Sequence, residues 1–251
     1  VIPWELLDTT TVPGTETEMS LHRRGEVYSI RVGGAELMNN WIYGMDCALA
    51  EFGCAAMADR DRPRVLIGGL GMGFTLARTL ALLGPGSEVV VAELVPAVVR
   101  WNETLLGELA QHPLRDGRVS VLQEDVGRVL RAERGAYDAI LLDVDNGPEG
   151  LSRKSNDRLY GRTGLAAVRA ALRPGGVLAV WSLSGDQSFS SRLEFAGFDV
   201  EQRHVKKRGG RGRQTIFVAR PASTPPPRRT TASEAERASR TAARRRGRRR
   251  H

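Results

Sequence analysis

The segment VLIGGLGMGF, Val65 to Phe74, constrains the fold more than any other part of the chain. β-Preferring apolar residues run into Gly68, Gly69, Gly71 and Gly73, and TLARTLALL then continues with helical periodicity. A strand, a glycine turn and a helix follow one another. Such a turn exposes bare backbone to a ligand, and the helix behind it offers unpaired N–H groups at the positive end of its dipole. Glu93 stands twenty residues beyond Gly73, near the end of the apolar run EVVVAELV. A carboxylate at that place accepts hydrogen bonds from a ribose diol, so turn and carboxylate together point to an adenosine-containing ligand. The spacing is GxGxG, whereas dinucleotide dehydrogenases favour GxGxxG. It therefore favours an S-adenosyl ligand over a dinucleotide.

Strand and helix patterns alternate from this point. Strands are expected near 64–68, 88–93, 118–123, 137–143 and 176–182, and helices near 73–83, 95–110, 125–132, 158–172 and 186–196. Pro174, Gly175 and Gly176 predict a sharp helix-to-strand turn. FDVEQRHV, the basic turn KKRGGRGR and QTIFVAR read as a closing hairpin. Five βα units and a hairpin give an α/β fold, a doubly wound, mostly parallel seven-stranded sheet with one reversed strand. This is the layout of the class I S-adenosylmethionine-dependent methyltransferase architecture. Ahead of it, residues 1–38 predict two or three antiparallel strands and residues 40–58 a helix. The expected organisation is an N-terminal β-region with a linking helix over 1–58, a nucleoside-binding α/β domain over 59–220, and a disordered Arg-rich tail over 221–251.

The formal charge of +8 belongs to that tail: residues 228–251 hold ten Arg and two Glu, leaving 27 basic and 27 acidic residues in the rest. Nonspecific, salt-sensitive nucleic-acid contact is plausible for such a tail, but it lacks the interleaved aromatics that stack bases. No apolar run approaches membrane-spanning length, and the acidic N-terminus does not read as a signal peptide, so a cytoplasmic location without membrane association is expected. Cys47 and Cys54 lie seven apart in the expected helix, roughly 10 Å between Cα atoms, too far for a disulfide. The histidines are isolated, and no metal site is expected.

The second informative segment is YDAILLDVDNGPEGL, Tyr137 to Leu151. Asp143 and Asp145 sit where the fourth strand of the parallel sheet leaves it, and Asn146, Gly147 and Pro148 turn the chain over its edge. Ligands of open α/β sheets bind beyond the strand C-termini at the switch in strand order, so this loop should face the glycine turn. A sulfonium donor already carries a good leaving group. The obstacle to alkylating an amine is its proton, since amines of pKa about 10 are ammonium ions near neutrality. Asp143 is expected to take that proton, with Asp145 binding the cation and Asn146 and Tyr160 completing the acceptor site. Asp125, in VSVLQEDV, ends the third strand; a helix N-cap and recognition of the adenine amino group are compatible roles for it. Trp181 ends the fifth strand and is placed to line the acceptor site.

From about residue 15 to 220 the chain resembles the spermidine synthase (polyamine aminopropyltransferase) family. The resemblance lies in VLIGGLGMG, VVVAELV, QEDV, YDAILLDVDNGPEG, NDRLYGRTGLAAVRAALRPGGVLAV and the helix holding Tyr43. It implies decarboxylated S-adenosylmethionine as co-substrate and a small amine as acceptor. It also implies Asp143 as the group acting on the amine, Tyr43 as its helper, and Glu93 and Asp125 as the ribose and adenine carboxylates. The departures are specific. Gly71 stands where the family's turn carries an Asp that contacts the aminopropyl amine. Gly44 and Met45 follow Tyr43 in place of Gln or His and then Glu, and the loop after Asp143 is shorter. Two other readings stay open: a methyltransferase using intact S-adenosylmethionine, and a noncatalytic nucleoside-binding protein acting through its basic tail. A homodimer is compatible with each.

Overall fold

The computed structural model describes residues 2–57, 60–143, 158–182, 187–206 and 213–223. Two sheets organise them. The first is a four-stranded antiparallel meander of β1 (Glu5–Thr11), β2 (Glu18–Arg24), β3 (Val27–Val32) and β4 (Ala35–Asn39). The sequence predicted two or three strands here. The strand it missed is β1, ELLDTTT, an edge strand whose pairing with β2 shifts register between Leu6 and Asp8.

The second sheet contains β5 (Arg64–Gly68), β6 (Glu88–Ala92), β7 (Val119–Leu122), β8 (Tyr137–Leu142), β9 (Leu172–Ser182), β10 (Phe198–Lys206) and β11 (Arg213–Pro221). Its spatial order is β7-β6-β5-β8-β9-β11-β10. Strands β5 to β9 are parallel, and β11 enters antiparallel between β9 and β10. This is the expected doubly wound sheet with a reversed strand. The order reverses between β5 and β8, so the crevice of the fold opens where Gly68 and Leu142 end their strands side by side.

Helices α1 (Gly44–Cys54), α2 (Phe74–Leu82) and α3 (Pro96–Glu103) cover one face of this sheet. Helices α4 (Val126–Ala132), α5 (Arg162–Ala171) and α6 (Gln187–Phe195) cover the other. Alternation along the strands feeds both cores. Ile67, Leu141, Ala179 and Trp181 point to the α1–α3 face, and Leu66, Leu142, Val180 and Phe217 to the α4–α6 face. Met19, Leu21 and Ile30 of the small sheet join the α1–α3 core, which seats that sheet beside the glycine turn.

Three element boundaries differ from the sequence expectation. The first helix begins at Gly44 rather than Asn40, because Asn39 captures the N–H groups of Trp41 and Ile42 at 3.0 and 3.1 Å and Asn40 bonds back to Tyr28 and Glu26. The helix expected over 95–110 ends at Glu103 and resumes as a single 3₁₀ turn at Gly107–Ala110. Pro174, Gly175 and Gly176 do not precede the fifth parallel strand but bulge within it: β9 pairs through Leu172 with Tyr137 and next through Val177 with Ala139. No helix among the described residues is long and apolar enough to cross a membrane.

Candidate active site

The glycine turn is fixed at every bond that matters. The Gly69 N–H donates to the Ala92 carbonyl at 2.9 Å, and the Gly73 N–H donates to the Leu70 carbonyl at 2.9 Å. Asn102 of α3 donates from Nδ2 to the Gly71 carbonyl at 2.8 Å. Gly73 is the residue before α2 and has φ +82°, a conformation that favours glycine, and a Cβ there would lie 2.9 Å from Asn102 Oδ1. At Gly68 the reason is contact, since a Cβ would meet Leu142 Cδ2 at 2.8 Å. At Gly71, φ is +53° and a Cβ would lie 3.1 Å from the Met38 sulfur. A thioether from β4 thus covers the turn.

Glu93 follows β6 and is almost wholly buried. Its two oxygens accept from the Leu70 and Val95 N–H groups, each at 2.8 Å. Burial raises its pKa, and the bonds from the Val95, Leu70, Leu94 and Gly71 backbone oppose that rise. Glu93 therefore braces the turn from a position directly after β6. Carboxylate oxygens have lone pairs beyond those two bonds. Asp125 is exposed and caps α4, its Oδ1 accepting from the Arg128 N–H at 2.9 Å, with Arg131 3.9 Å away. The N-cap role is thus filled while the outer carboxylate edge faces solvent.

Asp143 follows β8 directly, and its N–H donates to the Gly68 carbonyl at 3.0 Å, which ties it to the glycine turn. Its side chain points to the α1–α2 face, where Thr75 Oγ1 lies 3.5 Å from Oδ2. The carboxyl sits deep in a recess that keeps an opening to solvent, and loss of hydration pushes its pKa up to about 6. Its charge is felt by Asp46, in the first turn of α1. Desolvation first, and then the charge of Asp143, hold the Asp46 carboxyl well above the usual range. Sequence reasoning missed Asp46. An acidic residue in a first helical turn reads as ordinary dipole compensation, and only the packing of α1 over β8 brings it to Asp143.

Tyr43 is the residue before α1 rather than part of the helix. Its ring is partly exposed and stacks on Phe74 with centroids 4.7 Å apart. Phe74 opens α2, so this stack adjoins both the turn and Asp143. Trp181, next to last in β9, lies one residue beyond the Leu142–Val180 register pair, as Asp143 does just after β8, and both project to the same face. Its indole N–H is buried without an acceptor among the described residues. Tyr160 is placed differently from the sequence expectation. Its ring is fully buried on the opposite face and meets Phe189 edge-on at 5.6 Å, because Leu159, Leu165 and Phe189 form an apolar seat for it. Asp145 and Asn146 lie outside the described residues. Among the described residues, no group of three or more His, Cys, Asp or Glu comes together as a metal site would require.

No family model matches the chain. No curated protein matches it in sequence. In structure it is similar to a spermidine synthase crystallised with the transition-state analogue AdoDATO, with a TM-score of 0.61 and 14% identity over 85% of this chain and 72% of that one. It is similar also to the spermidine synthase of Thermotoga maritima, with a TM-score of 0.63 and 14% identity over 85% of this chain and 71% of that one. At this identity the likeness establishes a spermidine synthase-like fold, and with it the methyltransferase-like sheet order described above.

Within that fold the glycine turn, Glu93, Asp143, Asp46, Tyr43, Phe74 and Trp181 gather at one end of the sheet, on the side where β5 and β8 part. The opposite end of β8 carries a different construction. Asp138 is buried and accepts from Arg60, from the Arg64 N–H at 2.7 Å and from Arg173 at 2.7 Å. This clamp joins the chain entering β5 to β8 and β9, well away from the turn.

Proposed function

We infer that the chain is a transferase that moves an alkyl group, aminopropyl in the first instance, from an S-adenosylmethionine-type donor to an amine. The observation that carries this reading is Asp143, a recessed carboxyl poised near neutrality and hydrogen-bonded through its backbone to the glycine turn. The likeness to a spermidine synthase bound to a transition-state analogue supports the choice of donor class. Glu93 is assigned to the ribose, Asp125 to the adenine, and Gly68, Gly69, Gly71 and Gly73 to close backbone approach. The positive φ of Gly69, Gly71 and Gly73 fits that assignment, since it keeps the turn in a conformation that favours glycine.

A sulfonium donor supplies an electrophilic carbon and a neutral thioether leaving group. The protein's part is the proton. Asp143 takes one proton from the acceptor's ammonium group, leaving a neutral amine with a free lone pair. That lone pair forms the N–C bond as the C–S bond breaks with its electrons going to sulfur, and the products are a substituted ammonium and the thioether. Tyr43, braced on Phe74, is assigned to orient the amine. Asp145 and Asn146 keep their proposed roles in acceptor binding.

Intact S-adenosylmethionine is the second reading, and Met38 favours it. The thioether over Gly71 occupies the space that a carboxylate side chain at the turn would need to hold a donor's amino group. Calorimetry with both donors decides between them. Tight binding of decarboxylated S-adenosylmethionine supports aminopropyl transfer, and binding of the intact form alone makes the chain a methyltransferase. Binding of neither removes the transferase reading.

A further inference from the structure

Two tryptophans are buried, and their indole N–H groups are treated differently. Trp101 is 2% exposed, and its Nε1–H donates to Asp8 Oδ2 at 2.7 Å. Trp181 is 9% exposed, its Nε1 atom is buried, and nothing among the described residues accepts its N–H. Gln214 of β11 lies on the same face, two residues from Ile216, the register partner of Trp181, and does not accept it either. Folded chains leave few buried donors unpaired, because each loses its hydration without compensation. The place of this donor ties it to the candidate site. Leu142 and Val180 are paired in register on adjacent parallel strands, and Asp143 and Trp181 each follow by one residue. Such strands lie about 4.8 Å apart, and alternation sends both side chains to the α1–α3 face. The two neighbours do not bond each other. Asp143 Oδ2 meets Thr75 Oγ1 at a long 3.5 Å, and the indole N–H meets no acceptor.

We propose that Trp181 sets the class of the acceptor: the amine carries a neutral oxygen a few bonds from its nitrogen, as an amino alcohol does, and Trp181 donates to that oxygen. This assignment rests on the amine-acceptor reading above and gives that acceptor a chemical class. An ammonium has N–H donors and no acceptor, and an indole likewise donates and does not accept. The far ammonium of a diamine would meet the Trp181 N–H donor to donor. A hydrocarbon tail would leave the N–H unpaired. An oxygen pairs it, while the ammonium at the other end of the same short molecule faces Asp143. That oxygen is neutral, because Asp143 repels a second carboxylate and the arginines of adjoining elements are taken. Arg78 of α2 pairs with Glu51 at 2.7 Å, and Arg203 of β10 pairs with Glu201 at 2.7 Å. A site that pairs a polar atom of its ligand discriminates strongly, since the wrong ligand strands a buried group. Trp181 is thus a specificity-determining residue that holds the acceptor away from its reacting nitrogen.

The test uses three amines of matched size, 3-aminopropan-1-ol, n-butylamine and 1,3-diaminopropane, which differ only at the end away from one nitrogen. Calorimetry at pH 7.5 measures their binding to the full chain saturated with 5′-methylthioadenosine. 3-Aminopropan-1-ol is expected to bind at least about tenfold more tightly than either of the others. Trp181→Phe keeps an aromatic ring without the N–H and should erase that preference. A thermal melt checks the variant, and the ranking of the three amines by the parent chain tests the proposal even should Trp181→Phe not fold. Binding of n-butylamine as tight as that of the alcohol overturns the proposal, since water then satisfies the indole. Equal or tighter binding of 1,3-diaminopropane overturns it as well, since the indole face then holds a cation. A preference that survives in folded Trp181→Phe has the same force. Failure of the wider reading looks different. If none of the amines binds, or 5′-methylthioadenosine itself does not, the transferase reading falls and the proposal with it. If the amines bind without preference, Trp181 alone is removed and the transferase reading stands.

Discussion

Asp143 works against stability near neutrality, where its proposed chemistry needs it ionised. A carboxyl raised to about 6 binds its proton more tightly in the folded chain than in the unfolded one. Its contribution to stability is therefore greatest below the usual carboxylate range and is lost as pH rises through about 6, the reverse of a salt-bridged carboxylate. A rise to about 6 corresponds to about 3 kcal/mol, reduced to about 1–2 kcal/mol because Asp143 keeps partial access to water. Asp143→Asn is expected to melt higher than the parent at pH 7.5 and to match it near pH 4, read by thermal denaturation at both pH values. The same substitution should lower transfer by about 10²–10⁴-fold, the usual reach of a general base, and the parent's rate should fall as pH drops below about 6. A second residue-scale expectation concerns Gly71. Gly71→Ala places a Cβ at φ +53° against the Met38 sulfur and should cost about 1 kcal/mol, part of it recovered with Met38→Ala, in urea titrations of the three variants. At this scale the sequence was informative where a residue acts through its place along the chain. Glu93 and Asp143 end strands and could be read from spacing alone. Asp46 and Met38 could not, because each reaches the site through the packing of an element whose own pattern says nothing about its neighbour.

The elements divide β8 into two ends with different duties. Its C-terminal end holds Asp143, and its second residue is Asp138, clamped by Arg60, Arg173 and the Arg64 backbone. Asp138→Ala leaves these donors short of their acceptor and should destabilise the chain by about 2–4 kcal/mol, since Arg60 and Arg173 keep partial access to water. Donor affinity per folded molecule should not change, and a urea titration beside a binding isotherm checks both halves. Helix α1 shows a second dependence. Gly53 faces β8 so closely that an added Cβ would collide with Leu141 and come within 3.3 Å of Ala179. The close seat of α1 is also what brings Asp46 over β8. Most element types were legible from apolar periodicity, because the parallel strands read as continuous buried runs. The boundaries were less so. Asn39 and Asn40 ended a helix pattern by hydrogen bonding alone, and a Pro-Gly-Gly that reads as a turn was absorbed into β9 as a bulge.

At the scale of the molecule, charge and fold are segregated. The excess positive charge lies in residues 228–251, and the remainder of the chain balances. Removing residues 224–251 should leave the melting temperature and transfer rate within error, while retention on an immobilised polyanion falls sharply and loses most of its salt dependence. Retention that survives the truncation would place the basic surface on the α/β body instead. The sheet order was readable because glycine turn, alternating elements and final hairpin leave few topologies open. The proposed acceptor site was not, because its residues come from α1, α2, β8 and β9, elements far apart in sequence. The backbone of the glycine turn is held by Ala92, Leu70, Asn102 and Glu93 without any ligand, so its conformational freedom is lost when the chain folds. Any ligand of the turn then meets a mould already set, and little ordering entropy opposes its arrival.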